Sequence, residues 1–471
     1  MIQVLTFCRN ARLSSRRLYF VTLGVCAILM NTPARAQFET RATTALPEGA
    51  YCIALGDFNN DGKPDLVVTD GDGFTVSLGN GDGTFQKPMF HSTGLSYYLA
   101  VGDFNNDGNL DIVVANVAST VSVYLGRGDG TFRQPISSNT TAGSYFVAVG
   151  DFNNDKKLDL ALIDPPYISV LLGNGNGTFR SPSDNSSFAG SLWLTLGDFN
   201  NDHRLDVLVT GQFGASYNIG VLLGNGDGSL QDSITTPVEY VPATIAAGDL
   251  NGDGKLDAVL GYDLAGIAVF IGNGDGTFQT AVNYDTTGIG NDELAIQDIN
   301  RDGKADLVVS NSSGKLGGVD LFWGNGDGSF QAPQFFSSGP DTGLLAMGDL
   351  NGDGLPDIAL ANGDAGTITM LNTGAVSFSP TTAEISFTST GQRTVTLTNT
   401  GQKSLIVKSI TASGVAFKVQ NTCGGSVRAG GSCDIKILFE PPQAGSYTGL
   451  VTLIDSASSR PQYIELTGGG N

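Results

Sequence analysis

Apolar residues in this chain come in short runs of strand length, separated by turns rich in Gly, Asn and Asp. The first four runs are Tyr51 to Leu55, Leu66 to Thr69, Phe74 to Leu78 and Phe85 to Phe90. The second run of a set is apolar at successive positions, as in Ile112-Val113-Val114-Ala115, Val207-Leu208-Val209 and Leu307-Val308-Val309. Unbroken apolarity over so few residues predicts a strand covered on both faces. Four such strands with tight turns predict one blade of a propeller.

The set recurs. Gly56-Asp57-Phe58-Asn59-Asn60-Asp61-Gly62-Lys63-Pro64-Asp65 is the first copy of a phrase whose leading aspartates are Asp57, Asp103, Asp151, Asp198, Asp249, Asp298 and Asp349, 46 to 51 residues apart. A period of that length marks a repeat architecture. A second phrase follows six of the seven copies, from Leu78-Gly79-Asn80-Gly81-Asp82-Gly83-Thr84-Phe85 to Trp323-Gly324-Asn325-Gly326-Asp327-Gly328-Ser329-Phe330. The seventh repeat has Leu371-Asn372-Thr373-Gly374 in its place and lacks the outer strand that should follow. Phe38 precedes Asp57 by the spacing that separates Phe330 from Asp349, so the missing strand is expected at the start of the chain. Pairing the two ends would hide two open sheet edges.

These phrases resemble FG-GAP/VCBS repeats, the units of integrin alpha-subunit propellers and of many bacterial surface proteins, over roughly residues 37–374. The resemblance implies an all-β, seven-bladed β-propeller closed by an N-terminal outer strand, with a cation in each aspartate loop.

The residues of the loop point the same way. Position 1 is Asp, 3 is Asn, 5 is Asp, 6 is usually Gly and 9 is Asp. Three carboxylates, a carboxamide and the carbonyl of position 7 form a hard oxygen donor set suited to Ca²⁺. Position 12 is Val68, where an EF-hand would carry Glu, and strands rather than helices flank the loop. The candidate ligands are Asp57, Asn59, Asp61, Lys63 (carbonyl) and Asp65, then Asp103, Asn105, Asp107, Asn109 and Asp111. Next come Asp151, Asn153, Asp155, Lys157 and Asp159, then Asp198, Asn200, Asp202, Arg204 and Asp206. The last three loops offer Asp249, Asn251, Asp253, Lys255 and Asp257; Asp298, Asn300, Asp302, Lys304 and Asp306; and Asp349, Asn351, Asp353, Leu355 and Asp357. Asx turns alone would not need three carboxylates in every copy. Position 6 is Lys156 in the third loop and His203 in the fourth, which strains the turn. Lys156 would also add a competing charge, so those two loops are expected to bind more weakly.

The second phrase reads as a tight turn between the third and fourth strands. Arg127-Gly128-Asp129 spells an adhesion tripeptide but aligns with Asn80-Gly81-Asp82, so Arg127 is read as one substitution in a repeated turn.

After Gly374 both phrases stop. Thr394-Val395-Thr396-Leu397-Thr398-Asn399, Ile435-Lys436-Ile437-Leu438-Phe439 and Leu450-Val451-Thr452-Leu453-Ile454 predict a β-sandwich over 375–471. Val395 to Gly401, and Cys423 through Phe439-Glu440-Pro441, resemble Hydin-like or ASH-type Ig-like domains, which implies a spacer or adhesive role. Cys423 and Cys433 flank a Gly-rich turn, and a disulfide between them would suit an oxidising compartment.

At the other end, Arg9, Arg12, Arg16 and Arg17 precede the apolar run Leu18 to Met30, and Ala34-Arg35-Ala36 fits a cleavage site. This is signal-peptide architecture over 1–36, and the run is short for a bilayer span. The mature chain is expected to start at Gln37, to be exported and to lack a membrane span. Cys8 and Cys26 would leave with the leader, making Cys52 a small thiol of the core.

Composition narrows the function. Gly supplies 65 of 471 residues, and charged residues only 15%. A net charge of −21 argues against nucleic acid as partner. His91 and His203 are the only histidines, and no nucleophile elbow, phosphate loop or zinc motif is present. The expected function is therefore a monomeric, noncatalytic, calcium-binding scaffold that recognises a protein or glycan outside the cell. A lectin-like propeller is the first alternative and a polysaccharide-active enzyme the second. Trp193 and Trp323 lie in strand-like runs, so they are expected in the core rather than on a sugar platform.

Overall fold

The structure is a computed structural model, and it describes residues 6–8, 35–42, 50–187, 190, 193–213, 216–263, 266–288, 290–311, 317–338, 342–362, 366–379, 384–399, 404–455 and 462–470. Among the described residues every regular element is a strand. No helix there is long and apolar enough to cross a membrane. Residues 18–30, the apolar run of the expected leader, lie outside the described residues.

The chain divides into two compact units: 1–12, 40–352 and 357–370 form one, and 13–39, 353–356 and 371–471 the other. In the first unit each repeat is an antiparallel meander. Repeat three is typical: Phe146–Gly150, Asp159–Asp164, Tyr167–Leu171 and Ser183–Ser187 pair in chain order. Met89–Gly102 serves two repeats, as the fourth strand of the first and the first strand of the second.

The second strand is the best covered. Asp65–Thr69, Asp111–Asn116, Asp159–Asp164, Asp257–Tyr262 and Asp306–Asn311 are buried at every residue. This is why their sequences lack polar alternation. Neighbouring repeats stack their first strands side by side, and Thr342–Gly348 of repeat seven packs beside Cys52–Gly56 of repeat one. Arg35–Ala42 pairs with Gly366–Ser379, the third strand of repeat seven.

Trp193 and Trp323 are buried, as expected. Cys52 is buried too, and in the full-length chain it is disulfide-bonded; the expected thiol concerns a chain without residues 1–36. Thr6–Cys8 pairs with Cys52–Gly56, setting Cys8 opposite Cys52 in register. In the full-length chain these three residues thus add a strand to repeat one, a pairing between distant segments that local composition does not reveal.

The second unit contains a two-sheet sandwich. Gly391–Asn399 and Phe417–Asn421 flank Ser432–Phe439 in one sheet, and Val376 to Ser379 adds to the edge of Gly391–Asn399. Glu384–Phe387, Gln462–Gly470, Gly445–Asp455 and Leu405–Ala412 form the other. Val395, Leu397, Ile435, Ile437 and Phe439 meet Phe387, Val451, Leu453 and Leu466 in the core. The Cys423–Cys433 disulfide is present, with Cα atoms 4.9 Å apart, joining the segment after Phe417–Asn421 to the start of Ser432–Phe439 across the short strand Ser426–Val427.

Candidate functional site

Each acidic loop sits at the hairpin between the first and second strands of its repeat. The second strand starts at the position-9 aspartate in all seven copies. Two left-handed residues shape the loop. Position 6 was expected and has φ from 65° at His203 to 85° at Gly108. Position 4 was missed: Asn60, Asn106, Asn154, Asn201, Gly252, Arg301 and Gly352 all have positive φ. Asn and Gly tolerate this conformation, and Arg301 adopts it at a steric cost. The sequence signal was the recurrent Asn or Gly at that position.

Backbone amides orient the side chains. In the first six loops the position-1 carboxylate accepts the position-6 N–H at 2.8 Å. Its other oxygen accepts the position-5 N–H at 3.0–3.2 Å. The position-3 carboxamide oxygen accepts that same N–H at 2.8–3.0 Å. In all seven loops the position-5 carboxylate accepts the position-7 N–H at 2.9–3.0 Å.

Position 9 is different in kind. Asp65, Asp111, Asp159, Asp206, Asp257, Asp306 and Asp357 are fully buried. One oxygen accepts the N–H of position 2 at 2.8–3.0 Å. In six repeats the other accepts the first glycine N–H of the second phrase, at 2.7–2.9 Å. This carboxylate therefore ties the loop to a turn 14 to 18 residues further on. The turn comes close enough that a Cβ at Gly79 would stand 2.1 Å from the Pro64 carbonyl oxygen.

Burial pushes the pKa of Asp65, Asp111 and Asp206 up to about 6, and that of Asp306 to about 7. The two amide bonds oppose this, while the position-1 and position-5 carboxylates add to it. Position 5 goes the other way. Against burial, the Lys63 N–H and the Lys63 charge hold Asp61 below the ordinary range.

Lys156 was expected to bring the competing charge in loop three. Its N–H binds Asp151, and the cation that reaches a loop carboxylate is instead Lys157, whose Nζ lies 3.1 Å from Asp155 Oδ2. In the second phrase, Asp82 accepts both the N–H and the hydroxyl of Thr84, at 3.0 and 2.6 Å. Arg127-Gly128-Asp129 repeats that arrangement with Thr131.

The donor chemistry fits calcium: each loop offers oxygen only, and every carboxylate retains lone pairs beyond those its amide bonds use. The side chains are turned toward the backbone. Among the described residues, no three acidic, His or Cys groups converge into a metal-holding cluster.

A family model for FG-GAP-like repeats matches residues 57–114, 103–162, 151–209, 249–309 and 298–360, and a second FG-GAP repeat model matches 344–378. A HYDIN/CFA65/VesB-like, Ig-like domain model matches 374–469. No curated protein matches the sequence at a significant level. Among solved structures, BBS1N in complex with ARL6DN is similar at a TM-score of 0.51 and 11% identity, over 73% of this chain and 98% of its own. An Agrocybe aegerita lectin that recognises non-reducing terminal N-acetylglucosamine is similar at a TM-score of 0.48 and 21% identity, over 66% and 85%. The likeness to BBS1N concerns the fold.

Proposed function

Given that the chain belongs to the FG-GAP-like repeat family and carries a HYDIN/CFA65/VesB-like, Ig-like domain after its repeats, we propose that it is an exported, noncatalytic recognition scaffold whose propeller is stabilised by calcium. The observation that carries this is the recurrence of one oxygen-donor loop, with the same amide bonds, in successive repeats. In each loop Ca²⁺ would neutralise carboxylates gathered at one hairpin. The residues to hold it are the aspartates of positions 1, 5 and 9, the asparagine of position 3 and the carbonyl of position 7.

Two buried acids outside this pattern have structural places. Asp164 is fully buried and accepts the N–H groups of Thr141 and Ala142, at 2.8 and 2.6 Å. Asp320 is fully buried and accepts the Thr287 N–H at 2.6 Å and the Asn311 amide at 2.7 Å. Both anchor the connection that enters their repeat. A general acid would have to meet substrate.

Calorimetric melting of the secreted protein with and without chelator tests the calcium role. Calcium at a hundred times Kd stabilises by about 2.7 kcal/mol per site, so chelation is expected to lower Tm. An unchanged Tm after verified metal removal would defeat the proposal. A glycan array in calcium then assigns the ligand class: bound sugar points to a lectin, and a blank array points to a protein ligand.

A further inference from the structure

The loops differ most at position 7, whose side chain has no part in the proposed donor set. In four loops it is a cation facing the position-5 carboxylate. Lys63 Nζ lies 3.4 Å from Asp61 Oδ2, and Lys157 Nζ 3.1 Å from Asp155 Oδ2. Arg204 Nη1 lies 3.8 Å from Asp202 Oδ2, and Lys255 Nζ 3.9 Å from Asp253 Oδ2.

The path of these side chains is set by the second phrase. A Cβ at Gly81 would stand 2.8 Å from Lys63 Cδ, and one at Gly175 2.9 Å from Lys157 Cδ. The same distances are 3.2 Å from Gly226 to Arg204 Cδ and 2.9 Å from Gly274 to Lys255 Cδ. Each aliphatic stem lies across a bare glycine backbone and delivers its charge to the loop edge.

The other three loops lack this contact. Asn109 donates its amide to Asp107 at 2.8 Å and accepts one from Asn60 at 2.8 Å; it adds no charge of its own, and the cation that acts on Asp107 is Arg133, from another segment. Leu355 is apolar and buried. Lys304 lies across Gly326 in the same way, with Cγ 3.1 Å from a Cβ there. Like that of Arg204 and Lys255, its charge acts on the turn aspartate, but it forms no ion pair with Asp302.

Resting on the calcium reading above, we propose that Lys63, Lys157, Arg204 and Lys255 are tethered counter-ions. Each holds its position-5 carboxylate while the loop is without metal, and calcium must displace it. An entering cation meets less negative charge in these loops and must break an existing ion pair. Exposed pairs of this kind are weak, so the effect is up to about fivefold in affinity per loop. Loops one, three, four and five are then the weaker sites, and loops two, six and seven the tighter. Four loops stay partly charge-compensated without metal, which limits repulsion in the empty propeller.

The test uses the full chain, stripped of metal and titrated with Ca²⁺ in a calorimeter. Lys63→Met should tighten one weak site by up to about fivefold and lower Tm of the metal-free protein. Lys87→Met removes an equal charge from an exposed position outside the loop sequences and should do neither. Asn109→Lys should turn one tight site into a weak one. Unchanged or weakened binding in Lys63→Met overturns the tether while leaving the calcium reading intact. A wild-type chain that takes up no calcium overturns both.

Discussion

The backbone N–H of Gly130, in the second-phrase turn of repeat two, donates to the carbonyl of Phe58, in the acidic loop of repeat one, at 3.0 Å. The Phe58 N–H in turn donates to the buried Asp65 carboxylate of its own loop. Gly177 makes the same bond to Phe104, Gly276 to Phe199 and Gly83 to Leu350, each at 3.0 Å. Phe58 also meets Phe132 of the next turn edge-on, at 5.8 Å between ring centroids. Each of these four turns is thus bonded to two loops, its own through the position-9 carboxylate and the preceding one through position 2. A loop that loosens is expected to disturb its neighbours.

Gly79→Ala should be costly, because a Cβ would press on the Pro64 carbonyl, which is backbone and cannot step aside. About 2–3 kcal/mol is expected. Gly62 has φ +81° with no atom within 4 Å of a Cβ, so Gly62→Ala should cost only about 1–2 kcal/mol. Denaturant midpoints of both variants rank them, and the reverse order would sink the packing argument.

Loop three should be weaker than loop two on two counts. Asp107→Ala removes a proposed ligand from a loop with Gly108, whereas Asp155→Ala acts on a loop already strained at Lys156, φ 66°, and paired to Lys157. Metal counting by mass spectrometry should show a lost calcium for Asp107→Ala and a smaller change for Asp155→Ala. Equal losses would contradict the ranking.

Thiol counting reports how the N-terminus is processed. A chain beginning at Gln37 keeps Cys52, Cys423 and Cys433, and with the Cys423–Cys433 bond intact should give one thiol after unfolding without reductant. A chain that retains residues 1–36 should show Cys52 blocked. Three thiols in the shorter chain would refute the sandwich disulfide.

His91 stacks on Phe74 at 4.9 Å and meets Phe132 edge-on at 5.4 Å, and burial pushes its pKa below the ordinary histidine value. The unfolded chain binds the proton first as pH falls, so this group contributes stability above about pH 6.5 that is lost below it. His91→Phe should remove that part of the acid sensitivity. Melting curves of both proteins at pH 7.5 and 5.5 provide the check: parallel losses would show that His91 plays no part.

The pairing of Arg35–Ala42 with Gly366–Ser379 covers an open edge. Deleting residues 37–42 should therefore lower Tm and favour association through the exposed strand. Light scattering and melting of the truncated protein measure both, and unchanged scattering and Tm would show the pairing to be dispensable.

Much of this molecule was determined by local pattern. Strand-length apolar runs, the period of 46 to 51 residues, the acids of the seven loops and the alternation from Val395 to Asn399 are properties of neighbouring residues, and backbone geometry converts them directly into hairpins and faces. Phe38, where the repeat spacing placed an outer strand, lies in Arg35–Ala42, which pairs with Gly366–Ser379. Tertiary structure decided what each polar group meets. Asp65, a proposed ligand, also has both its oxygens engaged by amides from segments seven and fourteen residues away. Lys63, proposed for its carbonyl, also sends its side chain to Asp61 because Gly81, from another turn, leaves the path open. Cys52 is disulfide-bonded in the full-length chain, where Thr6–Cys8 pairs with its strand. A residue's type states which bonds it can make, but only the approach of distant chain segments selects among them.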